Sequence, residues 1–333
     1  MNENDMPKTQ LEAINFFSDS SRCHDFMVDM RWRGKPACAH CGSKNIGKLV
    51  VSNRTVKDKD GNQKTLTRRV WNCKDCKRQF TVKVGTIFED SALGLEKWLP
   101  CVWLIVNAKN GISSCEIART LGVTQRTGWF MAHRIRAAIH DGSFEKLCGG
   151  VEADETFIGA KARNMHKDKR AEKVKGTGGM SMTPVMGLLE RNVRKNSSRV
   201  ILKVLNTRRK AELQGHVRNY VVEGSTLLTD ALKSYNGLND KYAHEVIDHA
   251  VSYARGHVHT NGLENFWSLL KRTIKGTYVH CEAFHLFRYL DEQAYRFNER
   301  SKDDAGRFIG AMSGIFNRRL TYESLTNKME LRA

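Results

Sequence analysis

The sequence contains no run of 18 or more apolar residues, no internal repeat and no low-complexity tract. The first absence excludes a membrane-spanning helix, which needs about 20 such residues. The other two leave folded, non-repetitive domains as the expectation. The start, MNENDMPKTQ, lacks the basic and apolar regions of a signal peptide, so the chain is expected in the cytoplasm, without a membrane partner. Acids are also in deficit: 36 Asp and Glu face 55 Lys and Arg, a formal charge of +19 spread along the chain. Such a surplus points to a polyanionic partner, with nucleic acid ahead of an anionic membrane surface. At 333 residues the chain is long enough for one catalytic-sized domain with a real core and one or two small ones.

A disulfide framework is excluded as well. The nine cysteines are odd in number, and four of them form two Cys-x-x-Cys pairs in what reads as a reducing compartment. Each pair, Cys38 with Cys41 and Cys73 with Cys76, can wrap a knuckle around a tetrahedral ion. Between the pairs, GKLVVSNRTVK and TLTRRVW read as strands joined at Asp60-Gly61, a hairpin that returns the second knuckle to the first. The expectation over residues 34–90 is a ribbon closed by one structural Zn²⁺. Without the ion this apolar-poor stretch has little to hold it together. Cys23, Cys101, Cys115, Cys148 and Cys281 read as buried small hydrophobes or inert thiols. Residues 1–33 form a separate segment with one or two short amphipathic helices.

Residues 91–146 read as a helix-turn-helix domain. Ser113 or Ser114 can cap a helix with apolar Ile117, Ala118 and Leu121, and Gly122 makes the turn. Thr124 then caps a second helix carrying Gln125, Arg126, Thr127 and Arg134, the side chains expected to reach DNA in a major groove. From residue 147 to the end the pattern is α/β. Strands are expected in GGVEADETFIGAK, MTPVMGLLERN, SSRVILKVLN, up to Asp230 and in HEVIDH, with helices over 208–220 and from Asn261 and Glu282. Between the first two strands lies a basic loop, 161–181. Seven Lys or Arg against two acids fall in 161–175, and Lys167, Lys169 and Arg170 are candidate phosphate contacts.

Three acids of this section are placed to meet. Asp154 lies on the first strand, Asp230 ends the fourth, and Glu264 lies on the helix HTNGLENFWSLLKRTIKG, residues 259–276. On that helix Leu263, Phe266, Trp267, Leu270 and Ile274 form the anchoring stripe, while Glu264, Ser268 and Lys271 line its edge. Clustered carboxylates repel one another unless cations sit between them, and hard oxygen donors suit a pair of Mg²⁺ or Mn²⁺ ions acting at phosphorus. Glu152, which shares a strand face with Asp154, is a lesser alternative; Glu155 flanks it, and Asp230 could instead cap the helix that follows. His257 and His259 are near enough to position substrate, or serve as structural hydrogen bonders.

The order of zinc ribbon, helix-turn-helix, VEADETFIG, LLTDALKSYNGL and HTNGLENFWSLLKR resembles the DDE transposases of bacterial insertion sequences, in particular the ISXO group. The likeness runs from about residue 15 to 320 and includes FTVKVGTIFEDSALGLEKW and GISSCEIARTLGVTQRTGWFMAHRIR. It implies a ribonuclease H-like catalytic domain, a mixed sheet flanked by helices. It also implies metal ligation by Asp154, Asp230 and Glu264 and a DNA contact at Lys271, beside Arg272. Some relatives carry Asn in the third place, so Asn261 shares that place with Glu264. The activity implied is cleavage of the 3′ ends of terminal inverted repeats and their joining to target DNA. Handling two ends at once implies at least a dimer on double-stranded DNA, associated with the nucleoid when bound. A nuclease that cuts without joining and a non-catalytic zinc-ribbon DNA-binding regulator are the alternatives.

Overall fold

A computed structural model describes residues 6–57, 61, 63–139, 145–159, 166–168, 171, 182–191, 198–247, 259–279 and 281–326. In chain order its elements are α1 (Gln10–Phe16), α2 (Ser20–Trp32), β1 (Val50–Lys57), β2 (Gln63–Asn72), β3 (Gln79–Phe80), α3 (Leu95–Asn107), α4 (Ser114–Leu121) and α5 (Gln125–Ala138). There follow β4 (Gly150–Ile158), β5 (Thr183–Arg191), β6 (Arg199–Val204), α6 (Lys210–Tyr220), β7 (Thr226–Asp230), β8 (Ala243–Ile247), α7 (Asn261–Thr273), α8 (Leu286–Asn298), α9 (Asp304–Ser313) and α10 (Tyr322–Thr326). They divide into two units. One comprises Met1–Ile105, Ile117–Ala138 and Asp304–Ala333, the other Val106–Glu116 and Ile139–Asp303. Among the described residues no helix is long and apolar enough to cross a membrane.

In the first unit, β1 and β2 form the expected hairpin, in register from Val50 opposite Val70 to Lys57 opposite Gln63, and β3 adds two residues to β2. The turn residue Gly61 has φ +83°, the left-handed region a glycine enters without strain. At the start of α4, within the stretch Val106–Glu116 that belongs to the second unit, Ser113 Oγ accepts from Glu116 N at 3.1 Å. Thr124 Oγ1 accepts from Thr127 N at 3.2 Å at the start of α5, and Gly122 turns the chain between them at φ +62°. An aromatic centre joins Phe17, Phe26 and Trp103 to Phe308, with ring centroids 5.2 to 5.7 Å apart. Phe308 belongs to α9, which the sequence pattern assigns to the tail of the α/β section. The structure corrects that boundary, because Phe308 is fully buried in this core and Arg318 Nη1 donates to the carbonyls of Ala137 and Ala138.

The second unit is built on a five-stranded sheet in the order β6-β5-β4-β7-β8. β4, β5 and β6 are antiparallel, whereas β7 and β8 run parallel to β4. Strand alternation sends Val151 and Ala153 of β4 to one face, with Leu213 and Val217 of α6. It sends Ile158 to the other, with Leu263, Phe266, Trp267 and Leu270 of α7 and Leu290 of α8. Full burial of side chains such as Leu263, Phe266 and Leu270 contributes about 2 kcal/mol each, so α7 is firmly seated on the sheet. This mixed sheet with helices on both faces is the ribonuclease H-like arrangement. Beyond α7 the chain makes a π-helical turn, Ile274–Tyr278, which the regular apolar spacing there did not announce.

Candidate active site and metal centre

Strands β4 and β7 carry two of the acids. These strands pair in parallel up to Ala153 opposite Thr229, so the next positions, Asp154 in the middle of β4 and Asp230 at the last residue of β7, lie side by side where the β4–β7 pairing stops. Neighbouring strands lie about 4.8 Å apart. The carboxyl end of a buried strand such as β7 is where α/β sheets hold ligands. Both aspartates are half-buried, and Glu264, in the first turn of α7, is exposed. Burial raises the pKa of Asp154, and the charges of Asp230 and Glu264 raise it further. The three acids therefore share one electrostatic environment. Asp230 Oδ1 accepts from Leu232 N at 3.1 Å. It orders the turn beyond β7, whereas the cap of the next helical turn falls to Leu232 with no side-chain hydrogen bond.

The carboxylate of Asp154 is held on both oxygens. Oδ1 accepts from Glu155 N at 2.8 Å and Oδ2 from Trp267 Nε1 at 2.9 Å. Trp267, read from the sequence as core, is 4% exposed and so is core; its indole N–H nonetheless reaches an acid 113 residues earlier. The readable signal was Gly187, isolated in the apolar strand MTPVMGLLERN, since such a glycine marks close approach. Gly187 stands directly opposite Asp154 in the β4–β5 ladder, and the ring of Trp267 packs over it.

Glu152 has a different task from its neighbour two residues on. It is 1% exposed, accepts from Arg191 Nε at 2.5 Å, and its Oε2 accepts from Leu263 N at 2.8 Å. The last bond satisfies an N–H in the first turn of α7, where a negative charge also meets the positive end of the helix dipole. His259 joins this group, with Nδ1 at 2.5 Å from Arg191 Nη2. Glu155 points to the opposite sheet face, where Tyr235 OH donates to it. Burial, then the charges of Asp230 and Asp154, push Glu155 up to about 7. In the sequence it is one acid among neighbours, with nothing local to set it apart.

Lys271 lies seven residues beyond Glu264, about 10 Å of helix rise, half-buried, with Arg272 exposed beside it. Asn261, the first residue of α7, is exposed, as are Gln125 and Arg126 at the start of α5, while Thr127 is half-buried. Arg126 Nη2 donates to Tyr322 OH at 2.9 Å. Arg134 is only 4% exposed; its Nε donates to Leu320 O and its Nη1 to Glu89 O, both at 2.9 Å. Its guanidinium is thus spent on backbone carbonyls, away from the surface that Gln125 and Arg126 offer. Lys167 is exposed; Lys169, Arg170 and His257 lie outside the described residues.

The four ribbon cysteines converge, their sulfur atoms all within 4.8 Å of one another. Cys38 Sγ lies 3.6 Å from Cys76 Sγ and Cys41 Sγ 3.7 Å from Cys73 Sγ. A tetrahedral ion with metal–sulfur bonds of about 2.3 Å sets its sulfurs about 3.8 Å apart, so the group fits zinc. Backbone N–H groups of His40 and Cys76 point at Cys38 and Cys73 Sγ, both at 3.4 Å, as thiolates require. Asp75 ties the knuckles together, accepting from Ser43 Oγ at 2.5 Å and Asn45 Nδ2 at 2.7 Å.

Comparison with known proteins finds two family matches. Residues 18–79, which contain all four cysteines, match the transposase zinc-ribbon domain, and residues 146–298, which contain the three acids, match the ISXO2-like transposase domain. An uncharacterized protein in the transposable element ISH50 of Halobacterium salinarum is 26% identical over 272 residues, covering 78% of this chain and 84% of that protein. By its two matched domains, the chain belongs to the ISXO2-like transposases of insertion sequences.

Proposed function

We propose that this transposase binds the terminal inverted repeats of its element, hydrolyses the phosphodiester at each 3′ end and joins the freed hydroxyls to target DNA. The observation that carries the reading is the side-by-side placement of Asp154, in the middle of β4, and Asp230, at the end of β7, with the charge of Glu264 bearing on Asp154. Three hard oxygen donors that repel one another fit two Mg²⁺ or Mn²⁺ ions. Bound there, the ions would supply Lewis-acid activation of the attacking oxygen and neutralise charge on the leaving one. The chain's own part is positioning. Asp154 is locked by two N–H donors, Asp230 is set by its turn, and the anchored α7 presents Glu264, with Asn261 one turn earlier. Lys271 and Arg272 would hold a phosphate of the DNA end.

Gln125, Arg126 and Thr127 would reach bases in the major groove, while Lys167, with Lys169 and Arg170, would track the backbone. The ribbon, residues 34–90, would hold one structural Zn²⁺. Handling two ends implies at least a dimer on DNA, working on the chromosome within a prokaryotic cytoplasm. The test is strand transfer by purified protein on a labelled, pre-cut element end in Mg²⁺ or Mn²⁺. Joined product from wild type, abolished by Asp154→Ala, Asp230→Ala and Glu264→Gln but retained by Asn261→Ala, is expected. Binding without joining under every metal condition would overturn the catalytic reading in favour of a DNA-binding regulator, and cutting without joining would reduce it to a nuclease.

A further inference from the structure

The strongest unassigned feature lies behind the acids. Trp267 is 4% exposed, yet its single polar atom does not end on a backbone carbonyl of the core; it donates to Oδ2 of Asp154 at 2.9 Å. The approach depends on an absent side chain. A Cβ at Gly187 would meet Trp267 Cη2 at 2.6 Å, Cζ2 at 2.7 Å and Leu263 Cδ2 at 2.8 Å. Gly187 is the residue facing Asp154 across the ladder, so the ring lies over the neighbouring strand and reaches the acid from the side.

We propose that Trp267 is a positioning residue for metal binding, its indole N–H fixing the plane of the Asp154 carboxylate; this rests on the metal-dependent reading of the acid site. An ionised carboxylate offers about four lone-pair sites. In Asp154, Glu155 N takes one on Oδ1 and Trp267 takes one on Oδ2. With a donor on each oxygen the group cannot rotate without losing a bond, and one lone pair on each oxygen is left for a cation. Both donors also favour the charged form against burial and against the neighbouring acids. Residues that orient a metal ligand in this way are worth about 10–100-fold in metal affinity. Because Trp267 and Glu264 lie three residues apart on α7, the same helix that supplies one acid orients another.

The test is Mn²⁺ binding by the full-length, zinc-loaded protein, with free Mn²⁺ read by electron paramagnetic resonance, in wild type, Asp154→Asn and Trp267→Phe. Trp267→Phe is expected to keep the stoichiometry but to bind about tenfold or more weakly, and its strand transfer should recover at saturating metal. Folding is checked by the thermal midpoint and by DNA affinity without divalent ions. Should the phenylalanine variant misfold, site-specific incorporation of benzothienylalanine at position 267 removes the N–H while keeping the bicyclic shape. Wild-type affinity in either folded variant would overturn the proposal alone. Mn²⁺ binding untouched by Asp154→Asn would overturn it together with the metal reading. Trp267-dependent binding in a protein that joins no DNA would uphold it while strand transfer fails.

Discussion

The buried carboxylate of Glu152 accepts from the backbone N–H of Leu263 at 2.8 Å, so strand β4 caps the helix that carries Glu264. With Arg191 Nε at 2.5 Å on its other oxygen, Glu152 is a charge that the fold has desolvated and paired. Removing Glu152 takes the acceptor from the buried N–H of Leu263 and one of several contacts from Arg191, itself 24% exposed, a loss of about 2–3 kcal/mol. Glu152→Ala is therefore expected to lower the unfolding free energy by about that amount in denaturant titrations. Strand transfer should fall in proportion to the folded fraction. Unchanged stability with lost activity would instead make Glu152 a ligand in its own right.

The ribbon yields a second prediction. One zinc per chain should be found by atomic emission, and Cys38→Ser should lose it. Structural zinc contributes on the order of 10 kcal/mol to the folding of such small domains. Amide protection over residues 38–80 is accordingly expected to collapse in the variant, or on chelation, while that of β4, β5 and β7 persists. Full protection of the ribbon without metal would show that the knuckles fold on hydrogen bonds such as those of Asp75 alone.

Much of this was legible in the sequence because the relevant signals are local. Alternating apolar residues announce β4 and a continuous apolar run β5, a terminal acid marks Asp230, and the stripe of Leu263, Phe266 and Leu270 fixes which edge of α7 holds Glu264. What escaped depends on distant partners. No spacing within HTNGLENFWSLLKR shows that the Trp267 indole reaches Asp154, nor does VEADETF show that Glu152 turns to Arg191 while Asp154 is held by Glu155 N and Trp267. Arg134 was misjudged for another reason. Charge suggested a surface residue, but it stands four residues after Phe130 and its guanidinium lies over that ring, 4.7 Å from the centroid. The α9 segment reads as a continuation of the α/β section because nothing in its amphipathic pattern names Phe17 and Trp103 as its partners.

Arg126 and Arg134 on α5 should separate binding from stability. Arg126→Ala removes an exposed cation, so DNA affinity should fall and the slope of log affinity against log salt should shrink by about one. Unfolding should be nearly unchanged. Arg134→Ala leaves the carbonyls of Glu89 and Leu320 without their donor and should cost about 3 kcal/mol of stability, with the salt slope of the folded fraction preserved. The opposite pattern would place Arg134 on the DNA and Arg126 in the structure.

Glu155 is expected to make the stability of the second unit depend on pH in the absence of divalent ions. Its pKa stands at about 7 against a reference of 4.5, raised first by burial and then by Asp230 and Asp154. An acid with a raised native pKa holds a proton that the unfolded chain has already released. The native state therefore binds more protons between about pH 4.5 and 7, and stability falls as pH rises through that window. The shift corresponds to about 3 kcal/mol at most, and Asp154, raised in the same direction, adds to it. Metal-free protein is thus expected to unfold more readily at pH 8 than at pH 5. Glu155→Gln, which keeps an acceptor for Tyr235, should flatten the profile and stabilise the protein at the alkaline end. A wild-type profile that rises toward pH 8, or one that Glu155→Gln leaves unaltered, would show that this carboxylate is already ionised and solvated in the folded chain.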